Sequence, residues 1–246
     1  VNVPTAATAT VDELFLSSGG ILTGDGTVSI TGGLSWSGGT MSGSGTTIVE
    51  NGASASISGA GAKTLDTRTL VNDGSVQYTS SADLAVANGA AITNEQDRTW
   101  DHQTDADYTG VGSFTNNGIF RKSVQTGITL VELDLTNNGT VDIQTGTVQI
   151  GNFGSLEATG TLTGRGNLDV TASGGGGNLA GIIDPGDQSL GSAGILTWTG
   201  PLDPDPAAPV HNDLGGRSVC SGRCGRPLLP AGRDCCRYGL PGSYRR

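Results

Sequence analysis

Apolar and polar positions recur along the chain about every 22 residues. An apolar residue is followed two positions later by Asn and two further on by Gly or another turn residue, giving Leu70/Asn72/Gly74, Ile92/Asn94/Gln96, Phe114/Asn116/Gly118 and Leu135/Asn137/Gly139. Ile48 and Leu156 extend the apolar column on either side, and a second column six positions on holds Val76, Phe120, Val141, Leu162 and Ile183. Periods of this length belong to repeat architectures, in which one unit cannot bury its apolar face alone and stacked neighbours must do so. The intervening runs (TVSI, TLVELDL, TVDIQTGTVQI) alternate with period 2 and are rich in Val, Ile and Thr, and no segment carries a 3.6-residue apolar stripe. The pattern predicts two or three short strands per repeat, each pairing in parallel with its copy about 4.8 Å above. The fold class expected is therefore all-β, a single-stranded right-handed parallel β-helix (solenoid) with about 22 residues per rung. Its hand follows the general preference for right-handed parallel crossovers.

In that geometry the Asn column has two uses. Asn tolerates the left-handed backbone of a tight corner, and stacked Asn amides can hydrogen-bond from rung to rung. Asn72, Asn94, Asn116 and Asn137 form the expected ladder, with Glu50 and Ala158 in the same register at its two ends.

Composition narrows the picture. With 42 Gly, 4% aromatic residues and 35% apolar residues, the chain has little to fill a wide core, which suits a narrow lumen. The net charge of −10 divides unevenly: residues 207–246 carry +5 and residues 1–206 carry −15. An acidic body does not bind nucleic acid through phosphate contacts, which need Lys and Arg to release counterions. No run of 18 apolar residues is present, so no membrane span is expected in this segment. All four cysteines lie in the last 40 residues, in a stretch dense in Arg, Gly and Pro. The domain reading is a lead-in at 1–13, a parallel β-helix at 14–206, and a basic tail at 207–246 that is disordered or the product of an out-of-frame reading. The CxxxC and CC spacing in the tail matches no standard zinc site.

The run GGLSWSGGTMSGSGTTIVENGASASISGAGAKTLDTRTLVNDGSVQY (32–78) resembles a repeat of very large bacterial secreted and surface proteins, built from tWtgGtmsGsGtt and kkLdgRtLxNxGtvxw segments. SFTNNGIFRKS, DLTNNGTVDIQTGTVQI and GIIDPGDQSLGSAGILTWTG are similar to units that follow in autotransporter-passenger-like and filamentous-adhesin-like stalks. The resemblance implies a β-helical stalk or passenger at the cell surface or outside the cell, part of a longer polypeptide, contacting a glycan or a host or abiotic surface. It implies no catalytic residues.

Polysaccharide lyases and hydrolases also use this fold, so the acids matter. Asn51, Asp73, Glu95, Asn117 and Asn138 share a register one residue past the Asn column, which would put Asp73 and Glu95 on adjacent rungs about 5 Å apart. Two carboxylates that close share a cation or raise one another's pKa, so calcium is the one cofactor to consider. Beside them runs EQDRTWDHQTDADYTG (95–110), where Trp100 would offer a stacking platform to a glycan, with Asp101 and Tyr108 beside it; the plainer alternative is an irregular solvated rung. With only His102 and His211 in the chain and no G-x-S-x-G elbow, a Ser/His/Asp hydrolase is unsupported. The Gly clusters open no helix and make no phosphate cradle. Thr145/Thr147 and Thr161/Thr163 are not spaced by the rung period and form no single flat array. The sequence therefore points to a non-enzymatic structural or adhesive segment; the alternative is a carbohydrate-binding module or polysaccharide lyase or hydrolase using the acidic rung around 73–107.

Overall fold

Alternation along each strand sends one side chain in two toward a common axis, and stacking the strands in register turns those side chains into continuous columns. The computed structural model describes residues 1–156 and 160–170, and beyond them only the backbone strands at Asn178–Leu179, Ile182–Asp187, Ser192–Ala193 and Thr197–Thr199. Among the described residues there is no helix, and the strands wind into a β-solenoid of about seven turns. No helix in this region is long and apolar enough to cross a membrane. The basic tail expected at 207–246 lies outside the described residues.

Each turn contributes to three faces. The first face stacks Gly39–Ser42, Lys63–Asp66 and the start of Leu84–Asn94. The second stacks Thr46–Val49, Thr69–Asn72 and the end of Leu84–Asn94. The third stacks Ser54–Ile57, Ser75–Tyr78, Thr99–His102, Ile119–Lys122, Thr140–Ile143 and Thr161–Gly164. These pairings are parallel, whereas Gly186–Asp187 meets Ser192–Ala193 antiparallel. The stretch expected to be a lead-in already belongs to the stack, since Thr8–Leu16 pairs along its length with Thr27–Trp36.

The second-face columns follow the expected register from Leu70 to Leu135 and depart from it at both ends. Thr47, not Ile48, pairs with Leu70; Thr47 is buried and Ile48 faces outward beside Val71. Above, a bulge lets Phe153 pair with Leu135 and brings Leu156 opposite Asn137. The Asn ladder is therefore bounded by Val49 below and Leu156 above, and the expected end positions at Glu50 and Ala158 are not part of it.

The ladder itself is continuous. Asn72 Nδ2 donates to Asn94 Oδ1 at 2.7 Å, Asn94 to Asn116 at 2.8 Å and Asn116 to Asn137 at 2.7 Å, all four side chains being buried. The second N–H of each amide meets a carbonyl at the start of the next rung's third-face strand: Thr99, Ile119, Thr140 and Thr161 in turn. These Asn do not adopt left-handed backbone, contrary to the role expected for them; their part is played by the side chain. The glycines that follow are required by proximity. A Cβ on Gly74 would collide with the carbonyl oxygen of Ala53, one on Gly118 with that of Arg98, and one on Gly139 with that of Gly118.

The corner joining second and third faces comes in two lengths. Asp73–Gly74, Asn117–Gly118 and Asn138–Gly139 turn it in two residues, whereas residues 50–53 and 95–98 use four. The longer form closes with a backbone bond, Ala53 N–H to Glu50 O at 2.8 Å or Arg98 N–H to Glu95 O at 3.1 Å, and carries the left-handed residues Gly52 and Asp97. The extra pair at 96–97 shifts the following strand, so Val76 pairs with Trp100 and Trp100 with Phe120. Trp100 thus supplies the missing member of the second apolar column.

Candidate functional site

The acidic corner is assembled as its register implied. Asn72 pairs with Asn94, so Asp73 and Glu95 follow on adjacent rungs, and with Glu50 they rim a shallow surface groove floored by Ile48 and Val71. Arg98 Nε lies 2.9 Å from Asp73 Oδ1, on a corner exposed enough for solvent to screen the pair. Glu50 accepts the Ser29 hydroxyl at 2.5 Å. Among the described residues no group of three or more His, Cys, Asp or Glu is placed to hold a metal ion.

The stretch after this corner runs opposite to expectation. Thr99–His102 alternates, so Thr99 and Asp101 face outward while Trp100 and His102 enter the lumen. Trp100 is fully buried and offers no platform to a glycan; its ring packs edge-on against Phe114, with centroids 5.4 Å apart. Tyr108 is equally buried, and its hydroxyl accepts Trp100 Nε1–H at 2.8 Å. Of the three proposed glycan contacts only Asp101 faces outward, and both its oxygens are engaged, by the Ser123 hydroxyl at 2.6 Å and the Gln103 amide at 2.7 Å. The physical reason is the longer corner: it moves the aromatic ring into column phase, and burying a ring of that size outweighs leaving it in water.

Inside the lumen these residues form a hydrogen-bonded chain. Trp100 Nε1–H donates to the Tyr108 hydroxyl, and the same hydroxyl lies 3.0 Å from His102 Nδ1. His102 Nε2 lies 3.1 Å from Thr129 Oγ1, so the neutral ring links Tyr108 and Thr129 by donating at one nitrogen and accepting at the other, and Thr129 Oγ1 also lies 3.2 Å from Thr104 O. Lys122 Nζ also donates to Thr129 Oγ1, to Thr104 O at 2.8 Å and to the Asp105 carboxylate at 2.7 Å. Burial, and next the Lys122 ammonium, push the His102 pKa down to about 3. Burial likewise raises the Tyr108 and Tyr78 hydroxyls above their ordinary range. His102 is a neutral spacer in a packed stack, with Tyr78 at 4.9 Å on one side and Phe120 at 6.3 Å on the other.

Two further buried cations escaped the sequence reading. Arg68 is fully buried and gives all its fork to oxygens of the two rungs below: Thr47 Oγ1 at 2.7 Å, Gly24 O at 2.8 Å, Gly26 O and Thr46 O at 3.0 Å, and Ser42 O at 3.2 Å. Thr47 occupies an otherwise apolar column because it accepts from Arg68. Lys63 donates to Gly61 O at 2.8 Å and Ser80 Oγ at 2.9 Å. Burial lowers the pKa of both cations. A charged residue within a period-2 strand or at a turn reads as solvated, and only the paired backbone carbonyls of neighbouring rungs reveal these cages. The kkLdgRtLxNxGtvxw letters nonetheless mark the lumen: Lys63, Leu65, Arg68, Leu70, Asn72, Val76 and Tyr78 are all buried.

The outer carboxylates are used singly along the corners. Asp83 accepts the Asp107 N–H at 2.9 Å, Asp107 the Leu130 N–H at 2.7 Å, and Glu132 the Gly110 N–H at 2.8 Å. Partial burial, followed by the neighbouring acids, raises the Asp107 pKa. Each of these acids ties one rung to another. Comparison with protein families, curated proteins and solved structures finds no match to this chain.

Proposed function

We propose that the chain is a structural, adhesive stalk segment of a bacterial secreted or surface-anchored protein, without catalysis. One observation carries this reading: the side chains with chemistry to offer, Trp100, Tyr108, His102, Lys122, Arg68 and Lys63, point into the lumen and find their partners there. They tie rungs together instead of meeting a ligand. The resemblance of residues 32–78 to surface-protein repeats supports the same reading, and the motif letters at Lys63, Leu65, Arg68, Leu70, Asn72, Val76 and Tyr78 are buried in the lumen.

The test is a panel of pectin, alginate, chitin and related polysaccharides, scored for retention and for shortened products. Intact recovery of every polymer is the expected outcome, whether or not any is retained. Turnover abolished by Asp73→Asn with Glu95→Gln would refute the proposal and assign the acidic corner to catalysis.

A further inference from the structure

Asn is followed by Gly at four places, Asn51–Gly52, Asn88–Gly89, Asn117–Gly118 and Asn138–Gly139, and each pair lies where the chain passes from one face to the next. The chemistry open to such a pair is the same everywhere. Glycine has no Cβ to obstruct its backbone nitrogen, which can attack Cγ of the preceding Asn. The new C–N bond closes a succinimide ring while Nδ2 departs as ammonia with the glycine hydrogen, and water then opens the ring at either carbonyl, leaving an aspartyl or an isoaspartyl residue. No cofactor and no second protein is needed, so the surroundings of each pair decide its rate. At Asn117 and Asn138 they oppose reaction. Gly118 and Gly139 are wedged against carbonyl oxygens of the rung below, too close for even a Cβ. Asn138 Nδ2 donates to Asn117 Oδ1 at 2.8 Å, and the Gly139 N–H is held by Asn116 O at 2.9 Å. Reaction there requires the corner to open first.

Asn88 is exposed, but its Nδ2 donates to the Asp66 carboxylate at 2.7 Å. That bond holds Cγ in place, and the carboxylate disfavours the negative charge that the attacking nitrogen develops. Asn51 has neither restraint. Asn51 and Gly52 are both exposed, no heavy atom lies within 4 Å of the place a Gly52 Cβ would take, and among the described residues neither the Asn51 amide nor the Gly52 N–H is hydrogen-bonded. The bond that shapes this corner, Ala53 N–H to Glu50 O at 2.8 Å, uses neither reacting atom, and the Glu50 carboxylate is engaged by the Ser29 hydroxyl. We infer that Asn51 is a site of spontaneous modification, deamidating in the folded protein ahead of the other three pairs. The fold has room for both products, because the isoaspartyl form lengthens the backbone at a corner whose length already varies between rungs. Either product places a carboxylate next to Glu50, at the edge of the groove that Glu50, Asp73 and Glu95 rim, so the acidic corner gains charge as the protein ages.

The test ages the full-length chain in warm, mildly alkaline buffer, folded and in parallel in concentrated urea, with circular dichroism to verify each state. Trypsin, cutting after Lys63, Arg68, Arg98, Arg121 and Lys122, then delivers the four pairs in four separate peptides. Each peptide is scored by mass for conversion of amide to acid, and for isoaspartate by enzymatic methylation. In the folded chain Asn51 is expected to convert first, with Asn117 and Asn138 at least about tenfold slower because they wait for local opening. In urea the four rates should converge. Asn51→Gln should abolish the early isoaspartate and leave the melting curve of the folded chain unchanged. Conversion of Asn88, Asn117 or Asn138 as fast as Asn51 in the folded chain would overturn the inference. So would an Asn51 peptide that keeps its amide while its counterpart in urea loses it, or an early methylation signal that survives Asn51→Gln.

Discussion

Replacing Asn94 by Leu removes the middle of the amide ladder while keeping the side chain's volume. Asn94 accepts from Asn72 and donates to Asn116, so the change orphans one N–H of the first and the Oδ1 of the second, both in a dry column. Arg98 O, which Asn94 also contacts, keeps its bond from Ile119 N–H and is not stranded. An unsatisfied buried polar group costs about 1–3 kcal/mol, and the added apolar burial of Leu offsets part of two such penalties, leaving a net loss of about 3 kcal/mol. For a domain of this size that corresponds to a fall of roughly 6–12 °C in Tm. Thermal and urea melts by circular dichroism would measure it, with Asn117→Leu, one residue past the next ladder member Asn116 and partly exposed, as the comparison. Equal stability of the two variants would refute the claim that the ladder, and not the corner sequence, holds these rungs in register.

The buried imidazole predicts a pH dependence: below about 6.5 the unfolded chain takes up a proton at His102 that the folded chain refuses until about pH 3. Stability should therefore fall as the pH falls across that window, by on the order of 5 kcal/mol at full extent, and His102→Phe should reduce the slope by up to one proton in pH-resolved urea melts. Trp100→Phe should cost about 1–2 kcal/mol through the lost bond to Tyr108. It should leave any glycan retention unchanged, so loss of retention by a folded variant would place the ring on the surface. Thr67, a β-branched residue at φ 62, sits where the resembling repeat has Gly, and Thr67→Gly should raise stability by about 0.5–1 kcal/mol, read from the urea midpoint, with no matching gain for Thr67→Ala.

What the sequence made legible was whatever repeats at a constant interval. Leu70, Ile92, Phe114 and Leu135 could be stacked from their spacing, and the Asn ladder followed because its members are separated by the same steps. The errors fall where an interval changes. A four-residue corner at 50–53 displaced the register at Ile48, and a second at 95–98 carried Trp100 from an imagined surface into the lumen. Trp100 and His102 alternating with Thr99 and Asp101 was the available signal, since a strand restarting after the corner needed an apolar residue for the open place between Val76 and Phe120. Asp73 and Glu95 were placed side by side correctly, but Arg98 could not be assigned to Asp73 without the turn that folds residues 95–98 back on themselves. The cages around Lys63 and Arg68 depend on backbone carbonyls, which no side-chain pattern records.

The two corner lengths imply that the stack does not count residues at that edge. Two or four residues deliver the next strand to the same height, because the columns on either side fix its position. Gln96 and Asp97, both exposed, are the surplus pair, and lengthening a loop there costs only a slowly growing closure entropy. A peptide spliced between them would project from one edge without disturbing Trp100. A second at Asn51–Gly52, two rungs away, would sit about 10 Å from it. The solenoid is in this sense a ruler on which foreign epitopes could be mounted at set separations, with valency and spacing chosen by the rung.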